Sequence, residues 1–212
     1  MDGGEYMAEP QKIIIVCGPT ASGKSRLGIR LAQLLDAEVV GADSRQVYIG
    51  MDIGTWKPTL EEREGIPHHL IDVVPPDGEF NAFIFKDMAR GRIQEIHQRG
   101  KKAIVVGGTG LYLRALTRGL AQGIGPFPEV REMLRNELAS LGPGALHEWL
   151  TRVDPSSAQR IQPGDSFRIM RALEVYLGTG TPLSSFHRAH AFGESHYDAL
   201  WIGIAPSRPR LN

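Results

Sequence analysis

Residues 18–25 read Gly18, Pro19, Thr20, Ala21, Ser22, Gly23, Lys24, Ser25, the pattern G-x-x-x-x-G-K-[ST]. Its residue types suit an anion. The glycines let backbone N–H groups turn inward around phosphate oxygens, Lys24 adds a point charge, and the Ser25 hydroxyl is a ligand type for Mg2+. A β-branched run (12–17) precedes the loop and a helical pattern follows it. The positive end of that helix would face the same anion. The spacing assigns phosphate binding to the whole loop. It leaves open whether the ligand is a nucleoside triphosphate or another pyrophosphate.

Asp43 is the second candidate. It follows the apolar run 38–42, which places it at the C-terminal rim of a sheet, beside the loop. A carboxylate there can act as a general base or as an indirect Mg2+ ligand. A lone Asp in such a place is more commonly a helix cap or a turn residue. Triphosphate-hydrolysing machines also carry an apolar strand ending in Asp. Here the run 103–107 ends in Gly107, Gly108 and Thr109, and Asp72 falls in the middle of the apolar run 69–74. That argues against a motor or switch, and less strongly against a small-molecule kinase.

The elements that must position these residues follow from periodicity. Strands are expected at 12–17, 38–42, 69–74, 102–107 and 200–205. Leu27, Leu31, Leu34 and Leu35 are expected to form the buried stripe of the first helix. Phe85, Met88, Ile93 and Ile96 mark a second helix that stops at Gly100. Alternating strands and helices predict an α/β fold, a P-loop-type parallel sheet flanked by helices, with ligands at the C-terminal ends of its strands. After the turn-rich 123–128 the rhythm becomes helical, over 128–141, 145–153 and 165–178. Val130, Met133, Leu134, Leu138 and Leu141 form one apolar face; Leu146, Trp149, Leu150 and Val153 form the next. The expected division is a disordered lead-in at 1–10, a core of 11–120 and 198–212, and a helical insertion at 121–197.

The chain has 212 residues, 42% of them hydrophobic, with 24 basic and 24 acidic side chains. Zero net charge predicts no nucleic-acid partner by itself, so any such contact must come from a local patch. The single cysteine, Cys17, cannot form an internal disulfide. No apolar run is long enough to span a bilayer, and no signal core precedes the first strand. A cytoplasmic monomer without membrane attachment is the expectation.

Six stretches, in order, resemble one family, the tRNA dimethylallyltransferases (tRNA isopentenyltransferases). They are GPTASGKS (18–25), DSRQVYIGMDIGTWKP (43–58), PHHLIDV (67–73), GGTGLYLRAL (107–116), PEVR (128–131) and FRIMRALEVYLGTGTPLS (167–184). The resemblance runs from about 11 to 208. It implies that the loop holds dimethylallyl pyrophosphate and Mg2+. It also implies transfer of the prenyl group to the 6-amino group of the adenosine beside the anticodon, with the tRNA anticodon stem-loop as partner. On this resemblance Asp43 accepts or orients the amine proton, while Thr20, Gly23, Lys24 and Ser25 with Mg2+ stabilise the leaving diphosphate. The adenine is expected to be flipped out of its stack. Asp43, Ser44, Arg45, Gln46, Thr109 and Arg131 are implied tRNA contacts, as are Phe167, Arg168, Ile169, Met170 and Arg171. Without the resemblance, Thr109 reads as a strand-end turn hydroxyl, and Arg168 and Arg171, three apart, as a solvated face.

The remaining eye-catching residues are expected to be structural. His68 and His69 read as a hydrogen-bonded strand entrance, Asp36 and Glu38 as surface charges. Trp56, where the family usually has a small residue, reads as a packing residue, with stacking on a base as the alternative. Family members continue beyond the closing APSRPRLN, so transfer by this chain alone is expected to be weak or absent. Three other functions remain open: an adenylate isopentenyltransferase, a P-loop small-molecule kinase, and a non-catalytic phosphate- or RNA-binding remnant.

Overall fold

The computed structural model describes residues 10–121, 123–190 and 196–205. Five parallel strands form one sheet in the order β3-β2-β4-β1-β5: β1 (Gln11–Cys17), β2 (Ala37–Gly41), β3 (His68–His69), β4 (Lys102–Gly107) and β5 (Tyr197–Gly203). Ile13, Ile15 and Val16 of β1 and 103–106 of β4 are buried, because these strands lie between neighbours and helices cover the faces. Helices α1 (Lys24–Leu35), α2 (Ala82–Gln98) and α3 (Gly110–Arg118) complete this layer. The fold is α/β with a P-loop-type parallel sheet. Among the described residues, no helix is long and apolar enough to cross a membrane.

The chain divides into two compact units, Met1–Gly119 with Glu194–Asn212, and Leu120–Gly193. The second contains α4 (Pro128–Val153), α5 (Pro155–Ala158), α6 (Ser166–Thr179) and α7 (Leu183–His190). Gly142, at φ 77° and ψ 171°, breaks α4 into two helices. The core of this unit is Leu134, Leu146, Leu150, Ile169 and Leu173. Val130 and Leu138 pack against it, as do Trp149 and Val153. Met133 and Leu141 are exposed instead, so the first expected face is narrower than its pattern. Asp154 is buried at the junction of three elements. Its carboxylate accepts from the Ser157 N–H and hydroxyl and from the Ser184 N–H, which joins α4, α5 and α7.

Three expectations about elements change. The strand 69–74 reduces to His68–His69, because Leu70 (φ 60°) and Asp72 (φ 56°) adopt left-handed backbone that a strand cannot continue through. The chain turns instead to pair with 46–49: Asp72 N–H donates to the Gln46 carbonyl and Val73 N–H to the Val47 carbonyl. Leu34 is 80% exposed. The buried face of α1 is Lys24, Gly28, Ile29 and Ala32, with Leu27, Leu31 and Leu35 half-buried beside it. Glu38 is not a surface charge. It is buried in β2 and accepts from Arg99 and His69, each at 2.7 Å.

Glu174 of α6 is the electrostatic anchor of the second unit. Its side chain is 2% exposed and accepts from the Phe127 N–H, Arg131 and Arg171. Burial alone would raise its pKa, but these three donors outweigh burial and hold the carboxyl below its ordinary value. Glu174→Gln is expected to destabilise this unit by about 2 kcal/mol, because one buried N–H and two arginines lose an ionised acceptor. The depressed pKa fixes the sign. The stabilisation is present above the unfolded value near 4.5 and is lost as pH falls through the folded value. Urea midpoints of native and variant should therefore differ at pH 7 and converge in acid.

Candidate functional site

The loop after β1 and the first turn of α1 form one anion-facing structure. Gly23 is the N-cap, with φ 84°, and no side chain caps the helix. The first N–H groups of α1 therefore have no intrahelical acceptor and receive none from the side chain of the cap residue, a glycine. Ala21 also adopts a left-handed φ of 62°, a strain of roughly 1 kcal/mol or more that clusters at ligand-gripping turns. Lys24 is buried, and its Nζ donates to the Pro19 carbonyl at 3.1 Å. Burial lowers its pKa and the nearby Asp43 carboxylate partly restores it. The Ser22 hydroxyl is buried with no hydrogen-bond partner among the described residues.

Asp43 stands just past the tip of β2. Its Oδ1 accepts from the Arg45 N–H at 2.9 Å and the Gln46 N–H at 3.4 Å, so it closes a turn as its residue type favours. No hydrogen bond to Oδ2 occurs among the described residues. The loop residues Thr20 to Ser25 and Asp43 line one cavity of roughly 960 Å³. No wall of side chains divides them: both line one cavity, and the Asp43 carboxylate acts on the Lys24 ammonium.

Two close approaches set this geometry. A Cβ on Gly107, at the end of β4, would lie 2.0 Å from the Ala42 carbonyl oxygen, so only glycine lets the β4 and β2 tips meet. Thr109, the N-cap of α3, then accepts from the Ser44 N–H through its Oγ1 at 3.0 Å. The Thr109 hydroxyl is thus used to hold the Asp43 turn. Tyr112 of α3 stacks on Phe85 of α2 at 4.5 Å. Burial, with Tyr48 and Asp43 nearby, pushes its phenol up to about 12, so it keeps its proton at neutral pH.

The far wall is the segment 51–58. Gln46 Nε2 donates to the Thr55 carbonyl at 3.1 Å and the Trp56 carbonyl at 2.9 Å. Lys57 has a side chain only 4% exposed, and its Nζ donates to Asp52 at 2.7 Å, Asp72 at 2.6 Å and the Tyr48 carbonyl at 2.8 Å. Burial would lower the Lys57 pKa; the two carboxylates more than compensate and raise it. This buried lysine was not legible as a site element, since its partners lie five and fifteen residues away. Asp72, expected mid-strand, is one of them. Trp56 is not a packing residue: its side chain is exposed on the cavity rim.

The other implied RNA contacts lie in the second unit. Phe167 is exposed, and Arg168 is exposed and paired with Asp165 at 2.9 Å. Ile169 is fully buried and Met170 packs against the same core, so neither side chain is free for a ligand. Arg171 turns inward to Glu174 and the Ile124 and Gly125 carbonyls. Arg168 and Arg171 therefore do not act as one solvated face. Arg131 is half-exposed, bound to Glu174. His68 and His69 are hydrogen-bonded to the Ile66 carbonyl and to Glu38.

The model for the IPP transferase family matches residues 46–212, beginning just past the Asp43 turn. A tRNA dimethylallyltransferase 2 from Geotalea uraniireducens is 50% identical over 204 residues, covering 94% of this chain and 64% of that protein. The tRNA dimethylallyltransferase of Geobacter sulfurreducens is 49% identical over 208 residues, 98% of this chain and 67% of that protein. The chain thus spans about two thirds of the length of these curated relatives. Among solved structures, a tRNA delta(2)-isopentenylpyrophosphate transferase from Staphylococcus epidermidis is 44% identical, with TM-score 0.59, covering 95% of this chain and 65% of its own. A eukaryotic dimethylallyltransferase acting on tRNA is 34% identical, with TM-score 0.77, covering 93% of this chain and 49% of its own.

Proposed function

The chain belongs to the IPP transferase family, and from that premise we propose that it transfers a dimethylallyl group from dimethylallyl diphosphate to the 6-amino group of the adenosine beside the anticodon in tRNA. The observation that carries this reading is that the phosphate loop and Asp43 line a common cavity.

The chemistry needs two opposite ends. At one, the bond between C1 of the allyl group and the diphosphate oxygen breaks, and its electron pair leaves with the diphosphate. The uncapped N–H groups at the start of α1 and the Lys24 ammonium face that growing charge. A seated phosphate oxygen would also satisfy the orphaned Ser22 hydroxyl. At the other end, the adenine amine attacks C1 while losing a proton. Its lone pair is delocalised into the ring, so it is a weak nucleophile, and Asp43 takes that proton. The Asp43 turn is closed through Oδ1, and Oδ2 serves as the base.

The Ser25 hydroxyl and the Asp43 carboxylate line the same cavity, and both are hard oxygen donors of the kind Mg2+ takes. Ser25 together with the diphosphate's own oxygens would hold it, and when bound it would neutralise leaving-group charge. The adenine reaches the cavity only unstacked, so the acceptor enters by base flipping. The exposed Phe167 and Arg168 of the second unit are proposed to contact the tRNA, Arg168 as a phosphate contact that positions without reading sequence.

The test incubates the chain with Mg2+, dimethylallyl diphosphate labelled in the prenyl group, and either unmodified tRNA or AMP. A separate arm supplies ATP labelled at the γ-phosphate. Label is expected in tRNA. Label in AMP alone, or only phosphoryl transfer from ATP, would replace this reading with a cytokinin-type transferase or a kinase.

A further inference from the structure

We propose that the Trp56 indole is a stacking platform for a nucleobase of the RNA acceptor at the rim of the loop–Asp43 cavity. This deepens the proposed function and rests on it.

Trp56 is 69% exposed, yet it lines the same cavity as Thr20 to Ser25 and Asp43. Its φ is 53°, the left-handed region that bulky side chains seldom enter. The backbone around it is fixed on both sides. Gln46 holds the carbonyls of Thr55 and Trp56, the Thr55 hydroxyl donates to the Met51 carbonyl at 2.6 Å, and Lys57 is buried in its two ion pairs. Leu70, also left-handed at φ 60°, is buried in the core; Trp56 is not. Here a strained and clamped backbone holds a large planar ring in the open. Such strain persists only where the surroundings impose it, and it clusters at ligand sites.

The chemistry of the ring selects the ligand. The diphosphate is matched by N–H groups and an ammonium, and an indole offers an anion little. A planar nucleobase gains from stacking on it whatever its sequence. The Gln46 side chain that clamps Trp56 belongs to the turn closed by Asp43. A base stacked on the indole is therefore held by the same unit of structure that carries the proposed base catalyst.

The test measures affinity for an anticodon stem-loop RNA carrying 2-aminopurine at the target position, using the full chain, Trp56→Ala and Trp56→Phe. Dimethylallyl diphosphate affinity and the unfolding midpoint are measured alongside. Trp56→Ala should weaken RNA binding about tenfold or more and abolish quenching of the 2-aminopurine, and Trp56→Phe should retain most of both. Diphosphate affinity and the midpoint should stay nearly unchanged, since most of the side chain is exposed. RNA binding unchanged in Trp56→Ala would overturn this inference alone, as would a loss confined to dimethylallyl diphosphate. Absence of RNA binding by the native chain would overturn it together with the functional reading.

Discussion

Asp43→Asn is expected to slow prenyl transfer to tRNA by about a hundredfold to ten-thousandfold, the range contributed by a positioned general base. The substitution is chosen for what it keeps. Asparagine retains a side-chain oxygen that can accept from the Arg45 and Gln46 N–H groups, so the turn and its Thr109 tie survive. What disappears is the proton acceptor and one negative charge beside Lys24. Burial already lowers the Lys24 pKa, and Asp43 is the group that partly restores it. In the variant the ammonium should lose its proton at lower pH. The alkaline limb of diphosphate binding therefore shifts toward neutrality, while binding at pH 7 persists. Single-turnover rates and a pH series of diphosphate affinity separate these effects. A full transfer rate in Asp43→Asn would remove this carboxylate from the chemistry.

Gly107→Ala is the second large effect, and it acts through the fold. The added Cβ would lie 2.0 Å from the Ala42 oxygen and 2.4 Å from the Ala42 carbonyl carbon. Both are backbone atoms that no rotamer change can move aside. The same residue donates from its N–H to the Val106 carbonyl and accepts from the Thr109 N–H, so a shift strains the link between β2, β4 and α3. Overpacking of this kind costs roughly 3 kcal/mol, or a fall in melting temperature on the order of 6–12 °C for a chain this long. Transfer should fail even where the variant stays folded, because Thr109 and the Asp43 turn move apart. Gly108→Ala is the control: its Cβ would meet the Gly18 oxygen at 3.1 Å and the flexible Lys24 end at 3.8 Å, so it should cost far less. Calorimetry on both variants checks the order.

The two effects show which features a sequence can display. The phosphate loop is legible because its chemistry is local: glycine for turns, a lysine, a hydroxyl, and a helix start within eight residues. The strands β1, β2 and β4 are legible because burial on both faces demands continuous apolar runs. Leu34 misleads because spacing counts large apolar side chains, whereas α1 packs through Gly28 and Ala32. The run 69–74 misleads because two left-handed residues, Leu70 and Asp72, leave no mark in β-propensity. The nine-residue α3 has no side-chain cap at its start: the Thr109 hydroxyl that would cap it is taken by Ser44. Glu38 is read as a surface charge until its partners, His69 and Arg99, arrive from distant elements. Long-range pairing is what a one-dimensional pattern omits, and Lys57 with Asp72 is the same case within the site.

The most direct test is a crystal structure of the chain with Mg2+ and a dimethylallyl diphosphate analogue whose bridging oxygen is sulfur, so that it cannot react quickly. The diphosphate should lie on the loop N–H groups and Lys24. Its allylic C1 should face Asp43 across the cavity, with space for one amine nitrogen about 3–3.5 Å from C1 and in hydrogen-bond reach of the carboxylate. A diphosphate seated away from residues 18–25, or a C1 turned away from Asp43, would contradict the account.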